Sequence, residues 1–256
     1  MTVIVVDNGS SDDSVARIRA AHPDVLLLES GRNLGFAGGS NIGIRYALAH
    51  GAEYVWLLNN DTKAAPEALS ALIAKALTDE SIGAVGSICY YADAPSRVQA
   101  WAGGRVNLWI GYADNSTIPR DDDWFDSLYG ASFLVSRSAF DDVGLFDEGF
   151  FLYFEETELC VRLRERGWRL AAAPDSRVLH KLNASTQGNR LVIDRYFTAS
   201  GLRILRLHSR APVLSSFLFL TARFLRRIAR LQLSRCRSVW LGVEDYRRMF
   251  RAPRIR

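Results

Sequence analysis

Val3-Ile4-Val5-Val6-Asp7-Asn8-Gly9-Ser10 and Tyr54-Val55-Trp56-Leu57-Leu58-Asn59-Asn60-Asp61-Thr62 decide how this 256-residue chain is read. Each is a short apolar run, rich in β-branched and aromatic residues, that stops abruptly at polar residues including an aspartate. Such runs read as strands covered on both faces, the kind found in parallel sheets. Ligands of open α/β sheets bind beyond the carboxyl ends of those strands. Two acids placed there point to something polyhydroxylated, phosphorylated or metal-bound. The competing reading has each acid capping the next helix. Against it, Pro66 fits a first helical position and puts that cap near Ala65, past Asp61. Ser11 and Asp12 likewise lie closer than Asp7 to a helix that starts near Ser14.

Working outward, strand and helix signals alternate through the first third of the chain. Strands are expected at Val3–Val6, Val25–Glu29 and Tyr54–Leu58, and helices at Ser14–Ala21, Ser40–His50 and Pro66–Leu77. That alternation implies a parallel sheet. Residues 82–135 change character, with frequent Gly, Trp and Tyr and short strands at Ile82–Tyr90 and Ala131–Val135. Helix returns at Ser138–Val143 and Glu155–Arg166. Strand pieces Arg169–Ala172 and Arg177–His180 flank Pro174, and from Leu191 the chain reads as helical to its end, broken at Pro212.

The net charge of +4 conceals an asymmetry. Residues 203–256 carry fourteen arginines against Glu244 and Asp245, a local charge of +12, which leaves −8 on the rest. An acidic body with a basic tail points to an anionic partner surface. Recognition motifs and interleaved aromatics are missing, so nucleic acid is not the expected partner. The three cysteines are far apart and lack C-x-x-C spacing, which argues against a zinc site or disulfide framework.

Three further stretches carry candidate chemistry. Arg32-Asn33-Leu34-Gly35-Phe36-Ala37-Gly38-Gly39-Ser40-Asn41 is glycine-rich, so its backbone can approach a ligand, yet it matches neither a P-loop nor a dinucleotide fingerprint. Glu155, Glu156 and Glu158 follow the aromatic run Phe150–Phe154. Glu158 and Arg162 are spaced for an i, i+4 ion pair, whereas Glu155 or Glu156 could serve as a base beside a pocket wall. His180 ends a short strand and gains interest only if Asp61 lies near it, where both with phosphate oxygens could hold Mg²⁺ or Mn²⁺.

In this order, V-I-V-V-D-N-G-S-S-D, N-L-G-F-A-G-G-S-N-I-G, L-L-N-N-D-T, the long G-A-S-F-L-V-S-R to F-L-Y-F-E-E-T-E-L-C segment and V-L-H resemble the family 2 inverting glycosyltransferases. The similarity is to the bacterial rhamnosyltransferase-like branch, which builds cell-surface polysaccharides, and it spans roughly residues 1–210. It implies an α/β protein of the GT-A fold, with a mixed central sheet flanked by helices. The resemblance makes residues 1–190 the catalytic domain and 191–256 a basic helical extension. It further implies a nucleotide-sugar donor (dTDP-rhamnose or similar), a saccharide or lipid-linked saccharide acceptor, and Mg²⁺ or Mn²⁺. Asp7 matches the nucleoside-contacting aspartate. Arg32, Asn33, Gly35 and Asn41 match the loop around the nucleotide diphosphate. Asn60 and Asp61 match the D-x-D-like motif, with Asp61 and His180 as metal ligands, and Gly130 and Ala131 match the segment that faces donor and acceptor. Glu156 falls where the family has its catalytic aspartate, with Glu155 as the rival.

Two departures accompany the resemblance. Glutamate replaces that aspartate, one methylene longer. Family members also carry a further strand and helix ahead of the position matched by Val3–Val6. That strand would be central, so its loss should expose an apolar edge. The favoured expectation is a misassigned start, and the alternative is a truncated, non-catalytic remnant that binds a partner or membrane. In the tail, Leu214, Phe217, Leu218, Leu220, Phe224, Leu225, Ile228, Leu231 and Leu233 are interspersed with Arg223, Arg226, Arg227, Arg230 and Arg235. Its least charged part, Val213–Ala222, is half of what a bilayer span needs. An interfacial helix on an anionic membrane is expected, with arginines on the lipid, at the inner face of the cell membrane on the cytoplasmic side. The competing reading packs this helix on the catalytic domain.

Overall fold

The computed structural model describes residues 1–181 and 189–251. Strand β1 (Ile4–Asp7), helix α1 (Ser14–Ala21) and strand β2 (Leu26–Glu29) form the expected crossover unit, β1 pairing with β2 in parallel. Helix α2 (Gly35–Ala49) packs on β1 and on strand β3 (Tyr54–Leu58). No ladder joins β1–β2 to β3 among the described residues; β3 is the end strand of the larger sheet and pairs antiparallel with β10 (Ser132–Ser136). The expected parallel continuation is therefore corrected. Nor are these strands covered on both faces: β1, β2 and β3 are mostly half-buried, and Val3 is 49% exposed.

Helix α2 begins five residues ahead of the expected Ser40, inside the glycine run. Glycine weakens a helix by about 1 kcal/mol relative to alanine, so packing has to compensate. Beyond that weakness, glycine lets α2 settle close to β1. A Cβ at Gly39 would stand 3.0 Å from Asn8 Cγ, and one at Gly43 would stand 3.2 Å from Val6 Cγ2.

The larger sheet has the order β3-β10-β5-β11-β4, with β6 (Ala94–Trp101) on the second half of β5 (Ile82–Tyr91). Continuous burial along the first eight residues makes β5 the central strand. One face is covered by α3 (Ala68–Ala76) through Leu72, Val85, Leu134 and Ala171. The other carries Ile88, Phe133, Phe140, Leu159 and Leu163, closed by α4 (Arg137–Val143) and α5 (Glu155–Glu165). Buried hydroxyls tie the strands at one level: Ser87 Oγ meets Ser132 Oγ at 2.7 Å and Ser176 Oγ at 2.8 Å. A small antiparallel sheet of β7 (Gly103–Asn107), β8 (Tyr112–Asn115) and β9 (Ser127–Leu128) stands beside it.

Two local outcomes place the functional residues. Thr62–Ala64, read as loop from the sequence, forms edge strand β4 and pairs with β11 (Arg169–His180), Thr62 opposite His180. Strand β11 runs unbroken past Pro174 because a register shift between Ala173 and Arg177 removes the need for a ladder donor there.

Three helices complete the chain: α6 (Arg190–His208), α7 (Pro212–Ile228) and α8 (Leu233–Arg251). Helix α6 docks on the body through Arg203–Asp147 bonds of 2.6–2.9 Å, the Ser200 hydroxyl donating to Leu152 O, and Phe197 against Phe154. The arginines of the tail are not uniformly outward. Arg223, Arg227 and Arg235 converge on buried Asp194, so for these three the lipid-facing expectation is corrected. Residues 252–256 of the expected helical tail lie outside the described residues.

Candidate active site

The turn after β3 brings Asp61 to the end of β11. Lys181 N donates to Asp61 O at 2.9 Å, and Asp61 Oδ1 stands 3.2 Å from His180 Nε2, well inside the ~8 Å that a shared ion would allow. Both side chains are nearly buried. Gln99 of β6 presents Oε1 to His180 Nδ1 at 2.9 Å, and the Tyr129 hydroxyl lies 3.3 Å from the same nitrogen. At 3.2 Å Nε2 is within hydrogen-bond reach of the Asp61 carboxylate, and the buried Gln99 amide can turn either its oxygen or its otherwise unpaired nitrogen to Nδ1. Burial holds the His180 pKa below its usual value, with Asp61 pulling partly back, which favours the neutral ring that a metal would need.

No cluster of three or more His, Cys, Asp or Glu suited to a metal occurs among the described residues. The donor set here is one carboxylate and one imidazole oriented by an outer amide. That suits a hard divalent ion whose remaining ligands are phosphate oxygens and water.

Residues 129–131 connect this pair to the second acidic group. Asn59 N donates to Ala131 O at 3.0 Å, which fixes the segment to the end of β3. A Cβ on Gly130 would stand 3.2 Å from Glu156 Cδ, so the glycine makes room for that carboxyl. Helix α5 starts abruptly: Tyr153 and Phe154 both adopt left-handed backbone, φ 73° and 69°. Each costs a non-glycine residue about 1–2 kcal/mol, held by the packing of Phe154 against Phe150 and Ile204. That joint fixes the start of α5, and the helix then turns the two consecutive glutamates about 100° apart. Glu155 is buried with Oε2 unpaired, whereas Glu156 is half-buried beside Gly130. Burial raises the pKa of both, and the neighbouring Glu156 charge raises Glu155 further. Glu158 pairs with Arg162 at 2.8 Å, but the surface pair expected from the spacing is buried, and Glu158 also meets His208 at 3.2 Å.

The first strand end is built differently. Asp7 Oδ2 accepts from Gly9 N at 3.3 Å and Ser10 N at 3.2 Å, closing a turn on itself. Asn8, unmarked in the sequence, clamps the glycine loop by donating to Gly35 O at 2.8 Å and accepting from Leu34 N at 3.0 Å. Gly9 and Gly35 have positive φ, and their missing side chains admit backbone, not ligand. A Cβ would fall 2.5 Å from Arg32 C in the first case and 2.3 Å from Phe151 O in the second. Asn33 Oδ1 accepts from Gly35 N, while Arg32 is exposed and without an ion pair among the described residues. Asn60 is exposed in the turn before Asp61. Asn41, expected at the nucleotide, is 1% exposed, and both ends of its amide are committed to Phe146 backbone and to Glu148. Its side chain braces the loop ahead of α5 instead of reaching a ligand. Burial pushes the Cys89 and Cys160 thiols up to about 12, which removes thiolate chemistry from the site.

Gln99 and Tyr129 were missed by sequence reasoning. The available signals were a polar residue between Val98 and Ala100 on a buried strand, and a tyrosine abutting Gly130-Ala131.

Residues 1–144 match the profile of glycosyl transferase family 2. An N-acetylglucosaminyl-diphospho-decaprenol L-rhamnosyltransferase of Mycobacterium tuberculosis is 29% identical over 209 residues, covering 73% of this chain and 68% of that protein. Galactofuranosyltransferase GlfT1 of the same organism is 32% identical over 184 residues, covering 70% of this chain and 60% of its own. The chain thus spans about two thirds of the length of such relatives. Among solved structures, GalNAc-T7 with UDP, GalNAc and Mn²⁺ superposes on 97% of this chain and 51% of its own, with a TM-score of 0.65 at 14% identity. That likeness is one of fold, and with the mixed sheet between helices it identifies the GT-A architecture. The profile match and the relatives together make this chain a member of glycosyl transferase family 2.

Proposed function

We propose that the protein is an inverting glycosyltransferase that moves a sugar, rhamnose foremost, from a nucleotide diphosphate to a glycan or lipid-linked acceptor of a cell-surface polysaccharide. The observation that carries this reading is the Asp61–His180 pair, 3.2 Å apart at the ends of adjoining strands, with Glu156 reached through Tyr129-Gly130-Ala131. The names of the two relatives above support the acceptor and donor classes, and dTDP-rhamnose or a similar donor is the first choice.

In this reading Glu156 takes the proton of an acceptor hydroxyl. The oxygen attacks the anomeric carbon opposite the diphosphate, the new C–O bond forms, and the nucleoside diphosphate departs with the bonding pair. Its raised pKa suits a base working near neutrality. Glu155, sealed and neutral, keeps a second negative charge away from Glu156. Asp61 and His180 would hold Mg²⁺ or Mn²⁺, whose bound charge offsets that developing on the leaving diphosphate. Arg32 and Asn60 are assigned to the phosphates, and Gly130 with Ala131 to the floor beneath the sugar. Asp7, with the loop of Asn33 and Gly35, is assigned to the nucleoside. Asn41 positions that loop from behind.

The lipid-linked acceptor suggests work at an anionic membrane face on the cytoplasmic side. No helix among the described residues is long and apolar enough to cross a bilayer. A thermal-shift screen of nucleotide sugars with and without Mn²⁺ tests the reading. A shift with one donor that requires the metal is expected; no shift with any nucleotide diphosphate would overturn it.

A further inference from the structure

Surface helices ordinarily turn their apolar stripe inward, and α7 does the reverse. Its inward side carries Ser215, Phe219, Arg223 and Arg227, the two arginines held on buried Asp194. Its outward side carries Val213, Leu214, Phe217, Leu218, Leu225 and Ile228, which are 38–79% exposed. At 100° per residue these six occupy a single arc of about 140°. The helix is anchored through Asp194 and through Phe219 in a cluster with Leu202 and Leu205, and the apolar arc stays exposed among the described residues.

A second element joins this face from a hundred residues away. Gly111, at the tip of the β7–β8 hairpin, packs so closely on α6 and α7 that a Cβ there would stand 2.9 Å from the Phe219 ring and 3.3 Å from Leu205. The hairpin tip is thereby held at the flank of α7, and its neighbours Trp109, Ile110 and Tyr112 are 43–52% exposed. Arg210 just ahead of α7, Arg230 just past its end and Arg226 on α7 outside the apolar arc are exposed and make no ion pair among the described residues. Helix α7 contains no acid. An apolar arc with cations at both ends of its helix, and Trp and Tyr at one margin, matches the layering of a membrane interface with anionic headgroups.

We propose that α7 and the β7–β8 tip together form one docking face for an anionic bilayer, inserted through apolar side chains, with Arg210, Arg226 and Arg230 on the headgroups. Arg223, Arg227 and Arg235 act from inside, fixing the orientation of α7. The use of this face to reach a lipid-borne acceptor rests on the proposed glycosyl transfer; the binding itself does not.

The test uses the full chain and vesicles of phosphatidylglycerol and phosphatidylcholine in a flotation assay, with donor binding measured separately without lipid. Parent protein should float with mixed vesicles. Phe217→Glu with Leu214→Glu should weaken binding by about tenfold or more, and so should Trp109→Glu with Ile110→Glu. Both sites are exposed, so unchanged Tm and unchanged donor binding are expected, which separates this outcome from a failure of the enzymatic reading. Arg226→Gln with Arg230→Gln should lose binding chiefly at low salt. Three results would each overturn the proposal: no flotation of the parent protein, a hairpin variant that floats like the parent, or a parent dimer in sedimentation that dissociates on the α7 substitutions and so shows the face to be a contact between copies.

Discussion

The ends of β1 and β3 look alike as sequence and are used differently in the fold. After β1, the carboxylate of Asp7 bends back on the amides of its own turn, and the neighbouring glycines let chain cross chain. After β3, Asp61 meets His180 of β11, which Gln99 of β6 and Tyr129 of the β9–β10 connection hold from its other side. The first end is self-contained and owes its shape to local bonding. The second is assembled by the sheet, and its chemistry exists only when distant strands are in register. An acid at a strand end is therefore a place for chemistry, and the partners that the topology delivers decide its use.

The sharpest way to break this contrast is to remove each carboxylate in turn. Asp61→Ala should cost about 10²–10⁴-fold in turnover, the few kcal/mol assigned to a metal at a leaving diphosphate. The effect should appear in kcat at saturating donor, with the Mn²⁺ dependence gone. Asp7→Ala should act on the turn, lowering stability by about 1 kcal/mol and raising the donor KM while kcat stays within tenfold. Equal collapse of kcat in both variants, measured with saturating donor and metal, would erase the distinction.

A second test concerns the base. Glu156→Gln keeps shape and hydrogen bonding but accepts no proton, so turnover should fall about 10²–10⁴-fold with donor affinity retained. Because burial raises the Glu156 pKa, the acid limb of the kcat–pH profile should lie above the ordinary carboxylate range of about 4. A folded-state pKa above the unfolded value means that this carboxyl favours the fold while protonated, and that the benefit is lost as pH rises. The Gln variant should therefore melt higher than the parent at neutral pH. Should Glu155→Gln be the dead variant and Glu156→Gln the active one, the base is the buried neighbour.

The smallest effect expected is at His208, which supports α5 from behind. Burial opposes its charge, but Glu158 and Glu165, each 3.2 Å away, outweigh burial and hold its pKa above the usual 6.5. Its contribution to stability is present in full below that unfolded value and is lost as pH rises through the folded one. Thermal unfolding followed from pH 6 to 9 should show a falling Tm in the parent and a flatter profile in His208→Gln. An identical slope in both would show that α5 does not depend on this contact.

Much of the architecture was legible because long-period patterns dominate it. The bounds of α1 and β3 follow from apolar spacing and turn residues, and Asp61 and His180 were singled out as strand-end residues that would matter only if they met, as they do. What escaped has physical causes. Strand β4 is three residues long, too short for any pattern, yet it sets Asp61 beside His180. The start of α2 was hidden because its glycines disfavour helix locally and are overruled by packing against β1. Asn41 was misassigned because a polar residue near a glycine loop looks like a ligand contact until its two backbone partners, 105 residues away, are seen. Gln99 and Tyr129 were missed since their common partner lies 81 and 51 residues distant.

The left-handed pair Tyr153–Phe154 has a consequence for anyone who engineers this chain. Glycine at either position would relieve backbone strain, so a selection for heat resistance would find that joint attractive. Yet the same joint fixes where α5 starts, and with it the phase that seals Glu155 and sets Glu156 beside Gly130. A relaxed hinge would let that phase slip, so on the proposed reading a hardier protein would lose the carboxyl that serves as base. Screens for stability and for turnover should then diverge first at these two residues.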